Sequence, residues 1–187
     1  NENYEMITKI RYMDNRTNHM FLRVDKNDNE YGTLSIEELH KVDFDQYDAV
    51  VVSDYNKGFL SESILKEISQ KHKTTLIDTK RELSEWSSKY CFIKLNNKEY
   101  ENNIKNINSA LSNKIIVTKG PHGSMYHNKI YSVPKVEVKD TSGAGDTFVS
   151  GLCYEYINSG CIISAIKFAN ECATKVGQKR GVGVVWT

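Results

Sequence analysis

The sequence predicts an α/β protein built on a mostly parallel sheet. Short apolar runs of strand length alternate along the chain with segments in which apolar residues recur at helical spacing. Such alternation is typical of parallel strands joined by right-handed helical crossovers. The four clearest strand candidates are residues 48–53, 74–78, 91–95 and 114–118.

The N-terminal part differs from this pattern and predicts a β-hairpin. Residues 6–13 and 19–25 alternate in polarity and flank a polar loop at 14–18. Lys9 and Arg11 share the first strand with apolar neighbours. They are either solvated charges on an edge strand or a basic edge that faces an anionic substrate, and the local sequence alone favours the solvated charges.

The first half of the α/β region begins with a short helix at 35–40. The compact apolar run at 48–53 is typical of a buried parallel strand. A helix follows, with Ser61 as its candidate cap. Its apolar residues recur at helical spacing, at Leu60, Ile64, Leu65 and Ile68.

The second half continues the same alternation. A helix is predicted through Ile104, Ile107 and Leu111, and it precedes the strand at 114–118. Residues 125–127 and 130–133 predict a hairpin that turns at 128–129. The last long helix, closed by Gly177, has one apolar face made of Ile162, Ile166, Ala169, Ala173 and Val176.

Polar residues follow every predicted parallel strand at its carboxyl end. In open α/β sheets ligands bind just beyond these ends, so the clusters together predict an active-site rim. The clusters are Asp54/Lys57, Asp78/Lys80, Asn96/Glu99, Thr118/Lys119 and Asp140/Asp146.

The most informative stretch is the glycine turn at 140–148. An alternating run with Val136 and Val138 leads into it and a helical pattern leads out, which predicts a strand, a tight turn and a helix start. The turn glycines allow close approach of a ligand, and the first amides of a helix attract phosphate. Asp146 could take a proton from a hydroxyl beside that phosphate. The alternative is an ordinary acidic residue in the first turn of a helix.

Composition indicates one soluble globular domain of 187 residues. The net charge of +1 gives no nucleic-acid footprint, and no apolar run approaches the roughly 20 residues that span a membrane. The polar start of the chain lacks a signal-peptide core. The four cysteines show no metal-binding spacing, which favours reduced thiols in a cytoplasmic protein.

The glycine turn resembles the signature D-T-x-G-A-G-D-x-F of the ribokinase-like (PfkB) carbohydrate kinase family. The resemblance implies a three-layer α/β/α ribokinase-like fold with a small β-lid, and ATP as the phosphoryl donor. It also implies that Asp146 is the catalytic base and that the amides of Gly143, Ala144 and Gly145 form the anion hole. The matching residues are Asp140, Thr141, Gly143, Ala144, Gly145, Asp146 and Phe148.

The same resemblance implies the nucleotide and metal sites. Asn96 and Glu99 match the N-x-x-E motif that positions Mg²⁺ and phosphate through water, although a Glu at a helix start is the default interpretation of that spacing. Asp140 and Ser142, with Gly181 or Gly183, fall where many relatives bind K⁺ through backbone oxygens. The segment with Thr118, Lys119, Gly120 and Gly123 matches the family's T-x-G-x-x-G, for which a plain turn is the alternative. Asn170 falls where the family lines its adenine pocket, and an exposed helix residue is an equal alternative.

Several further motifs resemble the branch of the family that phosphorylates C1 of D-glycero-D-manno-heptose 7-phosphate. They are S-D-Y-x-K-G at 53–58, D-x-K at 78–80, T-K-x-R at 8–11 and R-x-D at 23–25, with Thr79 in place of the usual proline. Cations in the pocket suit a sugar that already carries a phosphate. The substrate-binding candidates are Lys9, Arg11, Asp54, Lys57, Asp78 and Lys80.

Family members begin with an N-terminal part that has no counterpart before Asn1. We therefore expect the chain to be the C-terminal portion of one kinase domain, with a lid hairpin at 6–25 and a nucleotide-binding core at 26–187. A fragment, one half of a split enzyme and a degenerate paralogue are the alternatives. Expected partners are a sugar phosphate, ATP, and either a second copy or a complementing N-terminal chain. A different sugar or nucleoside substrate, or a non-catalytic nucleotide-binding subunit, stays open.

Overall fold

A computed structural model describes residues 6–17, 19–28, 32–181 and 183–185, and it places most of the strands in one central sheet. The strand order in this sheet is β3-β4-β5-β6-β7-β8; the first four strands are parallel and the last two antiparallel. In chain order the strands are β1 (Thr8–Met13), β2 (Met20–Lys26), β3 (Val50–Asp54), β4 (Thr75–Thr79), β5 (Phe92–Asn96), β6 (Ile115–Thr118), β7 (Ser124–Tyr126) and β8 (Lys129–Tyr131).

Helices cover both faces of this sheet, so the predicted three-layer α/β/α arrangement is confirmed. Along β4 the side chains alternate between two cores. Leu76 packs with the long helices α5 and α6, and Ile77 packs on the opposite face with α2. The helices are α1 (Ile36–Leu39), α2 (Glu62–Lys71), α3 (Asn97–Asn103), α4 (Ser109–Ser112), α5 (Ala144–Ser159) and α6 (Ile162–Gly177).

The predicted N-terminal hairpin is confirmed as a separate two-stranded antiparallel sheet of β1 and β2. Thr8 pairs with Lys26 at its open end, and the register shifts between Tyr12 and Met13. Asn18 of the predicted loop lies outside the described residues.

Helix starts follow local capping chemistry. The Ser61 side chain accepts a hydrogen bond from the backbone N–H of Ile64, as the sequence predicts for α2. At α3, Asn96 and Glu99 form a reciprocal capping box, in which each side chain accepts from the other residue's backbone N–H.

The strand predicted before the glycine turn is wrong. Residues 132–143 form no strand in the described structure. The backbone of this segment instead bonds to the end of α6, where the N–H of Lys139 donates to the carbonyl of Gly177 at 2.8 Å. This contact brings the turn to the C-terminal end of α6.

The single helix predicted through Ile104, Ile107 and Leu111 is also wrong. α3 ends at Asn103, and a 3₁₀ turn and an extended Ile107 separate it from α4. The cause is a tertiary contact, since the buried Asn103 side chain accepts from the N–H of Leu83 at 2.6 Å and donates to the carbonyl of Glu99. These hydrogen bonds fix the Asn103 side chain and thereby hold the backbone at the residue where α3 ends.

Two smaller predictions need correction. The β7–β8 hairpin turns at His127 and Asn128, one residue earlier than predicted, because both adopt positive φ values of 48° and 58°. The strand predicted as buried, β3, is an edge strand of the described sheet. Its Val51 is 44% exposed, although it pairs with the buried Leu76.

None of the helices in the described ranges combines the length and the apolarity that a membrane crossing requires.

Candidate active site

A cavity of about 200 Å³ lies at the carboxyl ends of β3, β4 and β5, against the start of α5. It gathers residues from four of the five polar clusters predicted along the rim, and the fourth of these contributes the end of the glycine turn. Thr118 and Lys119 are not among its lining residues. The lining residues are Ser53, Asp54, Tyr55, Asp78, Lys80, Lys94, Asn96, Glu99, Gly145 and Asp146.

The glycine turn gives α5 an unblocked N-terminus. Gly143 is the N-cap residue, with a left-handed φ of 77° that a side chain would disfavour, and in the described structure no side chain caps this helix. The N–H of Ala144 donates to the carbonyl of Thr141 at 3.2 Å. The next first-turn amides, those of Gly145 and Asp146, stand at the positive end of a 16-residue helix, where anions bind.

Asp140 fixes the turn from the other side. One carboxylate oxygen accepts from the N–H of Ser142 at 2.8 Å, and the other accepts from the N–H of Gly181 at 3.1 Å. The hydrogen bonds from Ser142, with further help from Gly181 and the nearby Arg11, lower the pKa of Asp140. The Asp140 side chain is therefore an anionic clamp that joins the turn to the segment after α6.

Asp146 lies in the first turn of α5 with an exposed side chain that faces the cavity. The phenol of Tyr55 donates to its Oδ1 at 3.4 Å. A carboxylate in this position can accept a proton from an alcohol while the adjacent amides hold an anionic group.

Lys94 is a residue of this site that the motif-based reasoning missed. It lies on β5, is 7% exposed, and its Nζ pairs with Asp78 at 2.8 Å. The same Nζ lies 3.4 Å from where a Cβ on Gly145 would be, which places its charge at the start of α5. Burial raises the pKa of Asp78, and Lys94 opposes that rise. The available signal was a lysine inside a buried apolar strand, which requires an anionic partner.

The capping box at α3 brings two predicted residues into the cavity. The N–H of Glu99 donates to Asn96 Oδ1 at 2.9 Å, and the N–H of Asn96 donates to Glu99 Oε2 at 2.7 Å. The structure thus shows Asn96 and Glu99 as the cap of α3, which was the alternative to a metal-positioning motif. Only one of the two carboxylate oxygens of Glu99 takes part in this cap. Within the described ranges, no group of three or more His, Cys, Asp or Glu side chains is arranged to hold a metal ion.

A second cavity, of about 540 Å³, lies between the hairpin and the sheet and is strongly cationic. The buried carboxylate of Asp28 organises two of its cations, pairing with Lys57 at 2.9 Å and with Lys9 at 3.7 Å. Arg23, which was not among the predicted site residues, also lines this cavity and pairs with Asp25. The basic edge of β1 thus faces a cavity. Its lining residues are Lys9, Arg11, Arg23, Tyr55, Asn56, Lys57 and Lys80.

Asp54 is a substrate-binding candidate that the structure uses as an internal anchor. It is 5% exposed and accepts from the Thr79 hydroxyl at 3.0 Å, from Arg81 Nε at 2.7 Å and from the N–H of Asn56 at 3.0 Å. Arg81 also donates to the carbonyl of Leu60, so it ties both ends of the 54–60 loop to β4. Thr79 contributes a hydroxyl that a proline could not provide.

Of the predicted nucleotide-binding residues, Asn96 lines the Asp146 cavity and the others do not. The T-x-G-x-x-G segment forms a 3₁₀ turn at Gly120–His122, closed by a hydrogen bond from the N–H of Lys119 to the carbonyl of Gly123 at 2.8 Å. The Lys119 side chain donates to Asn97 at 3.0 Å. The Thr118 hydroxyl donates to the carbonyl of Leu95 at 3.4 Å.

Asn170 is 5% exposed, so it is not the exposed helix residue that was the alternative. Its side-chain amide donates to the carbonyl of Tyr131 at 2.9 Å and thereby fixes α6 to β8.

These features define a class of protein. An α/β sheet whose carboxyl edge meets a glycine-initiated helix is typical of proteins that bind phosphate groups, and here a carboxylate and a buried lysine lie beside that helix start. The family model described as pfkB family carbohydrate kinase matches residues 12–187, and the chain belongs to that family.

Curated relatives include two bacterial proteins described as bifunctional protein HldE. The one from Campylobacter concisus is 33% identical over 71% of this chain, and the one from Helicobacter hepaticus is 28% identical over 89%. The chain spans 33% and 40% of the lengths of these two relatives.

Solved structures with the same fold include a ribokinase from Thermotoga maritima, with a TM-score of 0.69 and 15% identity, which covers 95% of this chain and 66% of its own. A putative phosphofructokinase from Staphylococcus aureus has a TM-score of 0.62 and 19% identity over 88% of this chain and 63% of its own. The ribokinase-like fold is thereby confirmed.

Proposed function

We propose that the chain transfers the γ-phosphoryl group of ATP to a hydroxyl of a phosphorylated sugar, with C1 of D-glycero-D-manno-heptose 7-phosphate as the first acceptor to test. The observation that carries the proposal is the exposed carboxylate of Asp146 beside the uncapped start of α5. Membership of the pfkB family and the HldE relatives support the same reaction class and acceptor.

In this proposal the glycine turn binds the phosphoryl donor. Gly143, Ala144 and Gly145 would hold the terminal phosphate of ATP, where the helix dipole and the first-turn amides would stabilise its negative charge. The ammonium of Lys94 lies against Gly145 and adds a positive charge in a largely buried position. Positioning and charge stabilisation of this kind supply most of the rate in phosphoryl transfer.

The metal sites are part of the same proposal. Glu99 has one carboxylate oxygen outside the α3 cap, and together with Asn96 it suits a magnesium ion held through water. Magnesium, when bound, neutralises the charge that develops on the phosphates. A potassium ion would be held by backbone oxygens at Asp140 and Ser142, where Asp140 already clamps the turn.

The remainder of the nucleotide would be bound by residues of the 3₁₀ turn and α6. In this proposal Thr118, Lys119, Gly120 and Gly123 border its phosphate and ribose, and Asn170 borders its base. The positive φ of Gly123, 87°, keeps this turn tight against the sheet.

On the acceptor side, Asp146 removes the proton of the sugar hydroxyl as transfer proceeds. The 540 Å³ cavity receives the phosphate that the sugar already carries. Its cations come from the hairpin (Lys9 and Arg11) and from the loops that follow β3 and β4 (Lys57 and Lys80), so an anion there would contact both parts. We accordingly assign residues 6–25 as a lid and residues 26–187 as the nucleotide-binding core of one kinase domain.

The test is turnover of ATP by the chain with heptose 7-phosphate, fructose 6-phosphate and ribose as acceptors. We expect the first to be preferred, and Asp146→Asn to lower kcat by about 10²–10⁴-fold, the usual contribution of a general base. Nucleotide affinity should stay unchanged in that variant. Asp48→Asn is the matched control, since Asp48 is exposed at the opposite, amino end of β3.

Two results would count against the proposal. Equal kcat in the Asp146→Asn variant and the parent would remove Asp146 as the base. Nucleotide binding without turnover on any of the three acceptors would favour a non-catalytic nucleotide-binding protein instead.

A further inference from the structure

Tyr55 lies between the two cavities. It lines both the Asp146 cavity and the cationic cavity, as does Lys80. Its hydroxyl donates to Asp146 Oδ1 at 3.4 Å, and the ammonium of Lys80 lies 4.4 Å from the centre of its ring. One aromatic side chain therefore contacts the candidate base with its polar end and a phosphate-binding cation with its face.

The backbone around Tyr55 is held firmly. The preceding Asp54 is buried and anchored by Thr79 and Arg81, and the N–H of the following Asn56 returns to Asp54 Oδ1 at 3.0 Å. Asn56 adopts a positive φ of 54°, which gives the chain a sharp bend directly after Tyr55. The ring thus projects from a fixed point between the cavities.

The protonation state of Tyr55 suits a donor. Partial burial, followed by the negative charges of Asp146 and Asp78, raises its pKa, so the phenol keeps its proton at neutral pH. The ring is 46% exposed and belongs to neither hydrophobic core. Its side chain contacts Asp146 and Lys80 instead of packing into either core.

We propose that Tyr55 is a positioning and specificity residue for the acceptor, an inference that rests on the proposed function. Its hydroxyl aims the carboxylate of Asp146 at the acceptor hydroxyl, and its ring aims Lys80 at the anionic end of the same acceptor. A sugar that carries a phosphate engages both ends of this arrangement. A sugar without one meets the base but leaves Lys80 unused, and it is aligned less well.

Two variants separate the two roles. Tyr55→Phe keeps the ring and removes the hydroxyl, so kcat should fall about fivefold, as expected for one lost hydrogen bond, with KM for heptose 7-phosphate unchanged. Tyr55→Leu also removes the ring face. It should additionally raise KM for heptose 7-phosphate by about 2–5-fold, with KM for ribose and for ATP unchanged. Tyr47→Phe, an exposed tyrosine at the opposite end of the sheet, is the matched control.

The outcomes distinguish this inference from the proposed function. No turnover by the parent on any acceptor would contradict the function, whereas an active parent with an unchanged kcat in Tyr55→Phe would overturn the role of the hydroxyl. Binding of heptose 7-phosphate, followed by ³¹P NMR, tests the ring without turnover. Weaker binding in Tyr55→Leu than in Tyr47→Phe, at equal urea midpoints, supports the proposal, and equal binding overturns it.

Discussion

Replacing Lys94 by methionine should destabilise the protein strongly and in a pH-dependent way. Methionine has a similar length and packs well in a strand, so the main loss is the ion pair with Asp78 at 2.8 Å. Both side chains are largely buried, with 9% of Lys94 and 17% of Asp78 exposed. The variant therefore leaves a carboxylate in a poorly solvated place without its cation.

The magnitude follows from the behaviour of buried pairs. Removing one partner of a buried ion pair costs about 3–5 kcal/mol, because the remaining charge is uncompensated. For a chain of this length, about 2–4 °C of melting temperature corresponds to 1 kcal/mol, so the expected fall is about 6–20 °C.

The sign of the pH dependence comes from Asp78. Burial already raises its pKa in the folded protein above the unfolded value, so the folded state binds the proton more tightly. Stability from this group is greatest at low pH and is lost as pH rises from the unfolded pKa through the folded pKa. Without Lys94 the pKa of Asp78 in the folded protein rises further, and stability is then lost over a wider range of pH. The cost of Lys94→Met should thus be smaller at about pH 5 than at about pH 8.

The assay is urea unfolding of the parent, Lys94→Met and the double variant Lys94→Met/Asp78→Asn at both pH values. The double variant should recover most of the lost free energy of unfolding at pH 8, since it carries no unpaired charge. A single variant as stable as the parent, or a double variant as unstable as the single one, would refute the buried-pair argument.

Two further predictions concern the loops beside the site. Arg81→Met should lower the free energy of unfolding by about 3 kcal/mol, because the buried Asp54 loses its cation. Arg81→Lys should recover only part of this loss. If urea unfolding shows a loss below about 1 kcal/mol in Arg81→Met, Arg81 does not anchor Asp54 as argued. Gly123→Ala should destabilise well beyond Gly120→Ala in the same assay. At both positions an alanine would have to adopt a positive φ, which costs about 1–2 kcal/mol. Only the Cβ at position 123 would also collide with the carbonyl of Tyr131. Equal losses of stability in the two variants would show that the backbone relieves this collision.

The sequence predicts the local features of this fold well because their causes are local. Short apolar runs mark β3, β4, β5 and β6, which are strands of four or five residues, and the Ser61 side chain caps α2 by bonding to Ile64, only three residues further on. The glycine turn is encoded by Gly143, whose positive φ starts α5.

What the sequence does not reveal depends on contacts between distant residues. The break after α3 is imposed by Asn103 bonding to Leu83, 20 residues earlier, and no helical pattern contains that information. Lys94 and Asp78 are 16 residues apart and meet only because β4 and β5 pair in register. Arg81 reaches Asp54 across 27 residues, so the anchoring role of Asp54 becomes visible only once β3 and β4 are neighbours.

These long-range pairs also decide which carboxylate in the cavity is available for chemistry. Of the four that line it, Asp54 is paired with Arg81 and Asp78 with Lys94, and Glu99 caps its own helix. Asp146 receives a phenol hydrogen bond at 3.4 Å, a longer and weaker contact than the ion pairs. A general base must keep its lone pairs accessible to the acceptor hydroxyl. The cations paired with Asp54 and Asp78 make these carboxylates poorer acceptors for that proton, which supports the proposal that Asp146 is the base.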